Sequence, residues 1–117
     1  MLNGQKVIVI MPAYNAEATL KKTHEEVMAQ GVVDMVIVVD DASKDRTTEI
    51  ASSLPDTVVH RHQKNRGYGG NQKTCYRMAI DAGADIVIMV HPDYQYTPKL
   101  IPAMASMISN GLYHCVL

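Results

Sequence analysis

Four short stretches concentrate the side chains able to do chemistry. The apolar run Ile86 to Val90 stops abruptly at His91-Pro92-Asp93-Tyr94-Gln95. Such a run reads as a strand buried on both faces, so His91, Asp93 and Gln95 stand at its carboxyl end. One nitrogen and two oxygen donors on a short turn suit a divalent cation. A second run, Met35 to Val39, ends in two adjacent carboxylates, Asp40 and Asp41. Asp41 could accept the imide N–H of a uracil or the corresponding N–H of a guanine, and Tyr14, in Pro12-Ala13-Tyr14-Asn15, could pack against the base. Asp93 with a metal would then hold a diphosphate. The stretch from His60 to Gly70 is basic and carries three glycines, Gly67, Gly69 and Gly70. It permits close backbone approach, with Arg66 or Lys73 placing positive charge near phosphate. This is the chemistry of a nucleotide site. Singly, each piece has an ordinary reading: the two aspartates as helix-start acids, the glycines as a flexible turn, the basic residues as a solvated surface.

The elements that would position these stretches alternate between strand and helix. Val7 to Met11 predicts a first strand, ended by Pro12 because proline cannot donate to a ladder. Ala16 to Gln30 follows as a helix, with Asn15 as N-cap and Gly31 as a left-handed stop. His24 lies on its apolar stripe and reads as a histidine packed on the sheet, with no functional role. After the strand Met35 to Val39, Ser43 would cap a helix over Lys44 to Leu54, stopped by Pro55, with Asp45 at its positive end. Val58-Val59 marks a weaker third strand, and a helix from about Asn71 to Ala82 carries Cys75, Met78, Ala79 and Ala82 on one stripe. Beyond the fourth strand, Thr97 caps and Pro98 opens a helix whose Leu100, Ile101, Met104 and Ile108 face inward; Tyr113 to Leu117 begins a fifth strand. This alternation predicts an α/β fold, a Rossmann-like parallel sheet with helices on both faces and the four chemical stretches on one edge.

Composition narrows the partners. At 117 residues the chain is read as one domain or part of one. A formal charge of −1 gives no bulk attraction to nucleic acid or anionic membrane. Cys75 and Cys115 lack the C-x-x-C spacing, which fits a reducing cytoplasm. No apolar run approaches the roughly 20 residues of a membrane span, and no signal-peptide pattern opens the chain.

Taken in order, Pro12-Ala13-Tyr14-Asn15, Val38-Val39-Asp40-Asp41-Ala42-Ser43-Lys44-Asp45, Asn65-Arg66-Gly67 and His91-Pro92-Asp93-Tyr94-Gln95 resemble the family 2 glycosyltransferases of the A-type fold. The dolichol-phosphate mannose synthase-like branch is the nearest match, and the resemblance runs from Lys6 to about Asn110. It implies transfer of a sugar from a UDP- or GDP-linked donor to an acceptor, which the branch suggests is a polyprenyl phosphate, by inverting displacement. It also implies that Pro12, Tyr14 and Asp41 hold the base and ribose, that Asn15, Asp40, Arg66, Gly67 and Lys73 line the donor site, and that Asp93 is the metal-binding acid of the D-x-D motif. Gln95 matches the glutamine that follows that acid in the branch.

Two departures stand out. His91 occupies the place of the first aspartate of D-x-D, removing a charge from the metal shell and favouring Mn2+ over Mg2+. Ala16 stands where an acid often follows P-x-Y-N, with Glu17 one place on. The family's acceptor half and catalytic base are expected beyond residue 117, so residues 1–117 read as the N-terminal donor-binding part, inactive in isolation.

Other α/β readings compete. A receiver-like signalling domain needs its acidic pair after strand one, whereas here the pair follows strand two. A dinucleotide-binding domain needs G-x-G-x-x-G after strand one, and Gly67-Tyr68-Gly69-Gly70 has neither that spacing nor that place. A nucleotide-binding half without transferase activity shares the fold.

Overall fold

The computed structural model describes residues 1–92, 101–103 and 105. Strand β1 (Val7–Ala13), helix α1 (Leu20–Ala29), β2 (Met35–Asp40), α2 (Thr47–Ser52), β3 (Thr57–Arg61), α3 (Gly67–Asp81) and β4 (Ile86–Met89) follow one another. Residues 101–103 and 105 are helical. All strand pairings are parallel, in the order β3-β2-β1-β4.

The continuous apolar runs are explained by this order. β1 is flanked by β2 and β4 and covered above and below, and all seven of its residues are buried. Val7, Val9 and Met11 pack with Val36 and Val38 against Leu20 and Val27 of α1, Ala51 of α2, and Ile101. Ile8, Ile10, Ile37 and Val39 face the other way, onto Cys75 and Ala79 of α3. Each fully buried Val or Ile contributes roughly 1.5–3 kcal/mol, so β1 is the largest concentration of stabilising burial among the described residues. β3, on the edge, alternates between partly buried and exposed residues, which is why its apolar signal is short.

The order β3-β2-β1-β4 is that of a Rossmann half-sheet, in which the chain steps from β3 across to the far side of β1. A receiver domain places its third strand beside the first, so the signalling alternative is excluded by topology.

Several boundaries differ from those expected. β1 does not end at Pro12 but runs to Ala13, paired with Val39 and Asp40. The carbonyl of Ile10 accepts from Val90 N–H and that of Ala13 from Asp41 N–H, so the nitrogen of Pro12 turns toward β4, where the ladder stops. No donor is missed there. α1 begins at Leu20 with Thr19 as N-cap, because Asn15 is held in the left-handed region (φ 50) by bonds to the next loop. Gly31 ends that helix as expected, at φ 76. α2 is shorter than Lys44 to Leu54, and Ser43 does not cap it; Asp45 Oδ1 accepts from Thr47 N–H at 3.0 Å instead. α3 starts at Gly67, so the glycines expected as a loop form its first turn. His24 is buried as a packed histidine, with Nε2 3.0 Å from both the Pro55 carbonyl and Thr57 Oγ1. Thr97, Pro98, Leu100, Met104, Ile108 and the strand Tyr113 to Leu117 lie outside the described residues, whereas Ile101 is buried.

Candidate functional site

The loops after β1 and β2 are laced together at the carboxyl edge of the sheet. Asn15 N–H donates to Ser43 Oγ (2.8 Å), and Lys44 N–H returns a bond to Asn15 Oδ1 (3.0 Å). Ala16 N–H donates to Thr47 Oγ1 (2.8 Å). Glu17 N–H donates to Asp45 Oδ2 (3.2 Å), and Arg46 N–H to Glu17 Oε2 (3.0 Å). Two loops with no regular ladder thus satisfy each other's backbone donors through polar side chains. Asn15 and Glu17, expected to touch a ligand, each give one side-chain oxygen to this lacing. Burial raises the Asp45 carboxyl, but hydrogen bonds from the Thr47 hydroxyl and backbone and from Glu17 outweigh it and hold Asp45 below its ordinary value.

The two strand-end carboxylates have separate surroundings. Asp40 is fully buried; its Oδ1 takes Ser43 N–H (3.0 Å) and the Ser43 hydroxyl, and its Oδ2 takes the Thr48 hydroxyl. Arg61 Nε stands 4.0 Å from the same oxygen. Asp40 therefore organises the turn into α2. Asp41 is 3% exposed, and its Oδ1 lies 2.8 Å from His62 Nδ1 and accepts Arg66 N–H at 2.8 Å. Neither bond falls on Oδ2. A carboxylate with one oxygen pinned and the other unused among the described residues presents a directed acceptor.

The Asn65-Arg66-Gly67 triplet makes the turn that pins it. Asn65 Nδ2 donates to the Asp41 carbonyl (3.2 Å), and Asn65 Oδ1 accepts Gly67 N–H (2.9 Å). Gly67 sits at φ 77, where a side chain would be strained. A Cβ on Gly70 would lie 2.8 Å from Arg66 Cβ, so only glycine lets the helix start pass under that residue. Arg66 and Lys73 are both exposed. Residues 60–66 line an open cavity of about 680 Å³ beside Asp41, with Arg61, Lys64 and Arg66 as its cations.

Pro12 is buried in β1, while Tyr14, just past the strand, is 49% exposed and free to stack on a planar ligand. His91 is half-buried at the end of β4; its ring stacks on Tyr68 (centroids 5.5 Å apart), and its Nε2 is 3.0 Å from the Tyr68 hydroxyl. Asp93 and Gln95 lie outside the described residues. Among the described residues no group of three or more His, Cys, Asp or Glu side chains is arranged to hold a metal. Among the described residues only Nε2 of His91 is engaged, by Tyr68, which leaves Nδ1 as the ring nitrogen suited to an ion.

Pattern reading missed His62, Thr74, Asn71 and Tyr68. His62 is buried between Asp41 and Thr74, with Nε2 2.9 Å from Thr74 Oγ1. Asn71, also buried, donates from Nδ2 to the Val39 carbonyl (3.0 Å) and the Ala13 carbonyl (3.4 Å), fastening α3 to two strand ends. The register is what reveals His62: Asp40 pairs with Arg61, so Asp40-Asp41 on one strand end faces Arg61-His62 on the next.

Comparison with known proteins places this edge in context. The family model "Glycosyl transferase family 2" matches residues 8–117. A dolichol-phosphate mannosyltransferase from Pyrococcus furiosus is 31% identical over 112 residues, covering 91% of this chain and 31% of its own length. A UDP-N-acetylglucosamine–dolichyl-phosphate N-acetylglucosaminyltransferase from Methanococcus voltae is 29% identical over 120 residues, covering 89% and 47%. A mannosyltransferase from Pyrobaculum calidifontis, solved with GDP-mannose and Mn2+, superposes with a TM-score of 0.76 at 23% identity, covering 92% of this chain and 33% of that one. The chain thus spans less than half the length of these relatives. No helix among the described residues is long and apolar enough to cross a membrane. With the family model covering nearly the whole chain, and a parallel sheet that superposes on an A-type glycosyltransferase, the chain belongs to glycosyl transferase family 2.

Proposed function

We propose that residues 1–117 form the nucleotide-sugar-binding part of a hexosyltransferase that moves a sugar from a UDP- or GDP-linked donor to a polyprenyl phosphate by inverting displacement. The observation that carries this reading is the state of Asp41. It is a buried carboxylate at the carboxyl end of β2, pinned through Oδ1 by His62 and Arg66 N–H, with Oδ2 unbonded among the described residues and so left to accept an imide-type donor. Tyr14 offers an exposed ring for the base, Pro12 shapes the floor beneath it, and Arg66 and Lys73 supply positive charge for the diphosphate. The polyprenyl acceptor rests on the two relatives named for dolichol phosphates.

A divalent ion, Mn2+ or Mg2+, would be held by Asp93 with His91 and Gln95; when bound, it neutralises charge developing on the leaving diphosphate. The donor set fits: a carboxylate, an amide oxygen and an imidazole whose second nitrogen is already engaged by Tyr68. The chain's own residues orient the donor: Asp41 fixes the base edge, and the laced loops hold Tyr14 in place beside it.

Calorimetric titration with UDP, GDP and ADP, with Mn2+ and in a chelator, tests the reading. The expected result is that UDP or GDP binds at least about tenfold more tightly than ADP, whose base presents an acceptor where the others present N–H. In Asp41→Asn, His62 and Arg66 N–H hold the amide oxygen in the place of Oδ1, which turns the amide N–H2 toward the base. Donor then meets donor, and UDP or GDP affinity falls about tenfold or more, while ADP, whose base presents an acceptor to the amide, binds no more weakly than before. Equal binding of all three nucleotides, or unchanged affinity in Asp41→Asn, overturns it.

A further inference from the structure

We infer that His62 is a positioning residue for base selection: its imidazole holds the Asp41 carboxylate in the one orientation that leaves Oδ2 for the base. The inference rests on the donor-site reading above and deepens it.

His62 directly follows β3, and its backbone N–H donates to the Asp40 carbonyl (2.9 Å), continuing the β2–β3 ladder one step. That step sets the ring beside Asp41. The ring is 2% exposed, and both nitrogens are engaged: Nδ1 lies 2.8 Å from Asp41 Oδ1, and Nε2 lies 2.9 Å from Thr74 Oγ1 on α3. An ionised carboxylate only accepts, so Nδ1 carries the hydrogen of the Asp41 bond. The ring of His60 meets that of His62 edge-on at 5.6 Å, closing its outer side. A buried imidazole held at both ends has one available position.

The effect on Asp41 is directional. A carboxylate has two equivalent oxygens and turns about its Cβ–Cγ bond unless its donors are fixed. Arg66 N–H and His62 Nδ1–H both point at Oδ1, one from each end of the β3–α3 loop, and no donor among the described residues points at Oδ2. With Arg66 N–H alone the carboxylate would still be anchored but free to share that bond between its oxygens. His62 removes that freedom, and through Thr74 it ties the orientation to α3, whose first turn carries Arg66's neighbours Gly67 and Gly70. His62 does not itself reach the base; it acts through Asp41.

Two near-isosteric replacements separate the arms of this arrangement. An asparagine amide nitrogen overlays the position of Nδ1, so His62→Asn keeps the donor to Asp41 and loses the arm to Thr74. A glutamine amide overlays Nε2, so His62→Gln keeps the Thr74 arm and loses the donor to Asp41. Wild type, both variants and Asp41→Asn are titrated with UDP, GDP and ADP, with thermal melting and the exchange rate of the Arg66 amide recorded in parallel. The expected result is that His62→Gln loses most of the roughly tenfold preference over ADP, and that its Arg66 amide exchanges faster. His62→Asn retains the preference and the protected amide even if it melts at a lower temperature.

A purely structural His62 gives a different pattern: both variants lose affinity for all three nucleotides in step with their melting temperatures, and the preference ratio stays constant. That result overturns the inference while leaving the donor site standing. A wild-type chain that binds UDP, GDP and ADP equally overturns the donor-site reading itself. The Arg66 amide still judges His62 in that case, because equal exchange in His62→Gln and His62→Asn shows that the imidazole does not order Asp41.

Discussion

Adjacent residues of one type carry opposite duties here. Asp40 and Asp41 are neighbours on one strand end, yet alternation sends one side chain into the turn before α2 and the other toward α3. Sequence alone shows an unusual acidic pair and assigns both to a ligand. Which acid is consumed internally depends on donors brought from Ser43, Thr48 and His62, and those follow only from the register. Removing Asp40 leaves the buried Ser43 N–H and hydroxyl and the part-buried Thr48 hydroxyl without their acceptor, so Asp40→Ala is expected to cost roughly 3 kcal/mol in urea unfolding. An Asp40→Ala chain of unchanged stability would show that water takes over these bonds. Cys75 offers a second residue-scale check. Burial pushes its thiol up to about 12, against a smaller opposing bond from the Val39 backbone, so almost no thiolate exists at neutral pH. In a Cys115→Ser background, a disulfide reagent at pH 8 should leave Cys75 unmodified until denaturant is added; rapid labelling of the folded chain would mean that α3 opens readily.

At the scale of elements, strand and helix order was legible in the sequence, because buried parallel strands write themselves as continuous apolar runs. Element ends were less so. Asn15 and Ser43 have the composition of helix caps, but they cap nothing; each satisfies a backbone donor of the other's loop. Propensity rules describe a helix terminus against water, and here the competing partner is a second loop 28 residues away. The same lacing predicts an acid response. The folded-state value of Asp45 is lowered from 3.8, so its contribution to stability is complete above 3.8 and is lost as pH falls through the lower folded value. Wild type should therefore lose melting temperature more steeply below pH 4 than Asp45→Asn, and the two curves should converge at the acid end. Parallel curves throughout would show that Asp45 contributes nothing through its charge.

For the molecule as a whole, the parallel sheet and the gathering of the stretches after β1, β2 and β3 on one edge followed from alternation, whereas the partner of each acid did not, since that needs neighbouring strand ends aligned to the residue. One consequence of the strand order concerns time rather than place. β1 pairs on one side with β2, close in sequence, and on the other with β4, just before which Asp85 reaches back 79 residues to accept the Lys6 amide N–H. Loop-closure entropy makes the second pairing the slow one, so the chain is expected to assemble β1, β2 and β3 first and to add β4 late. On that account Ile37→Val should slow refolding, while Ile88→Val should chiefly speed unfolding, a contrast that stopped-flow measurements resolve. His91 arrives with β4, on the opposite side of β1 from Asp41. On the proposed donor-site reading, a newly made chain would thus present Asp41 before the segment that carries Asp93, and a bound nucleoside diphosphate would act as the last fastening of the sheet.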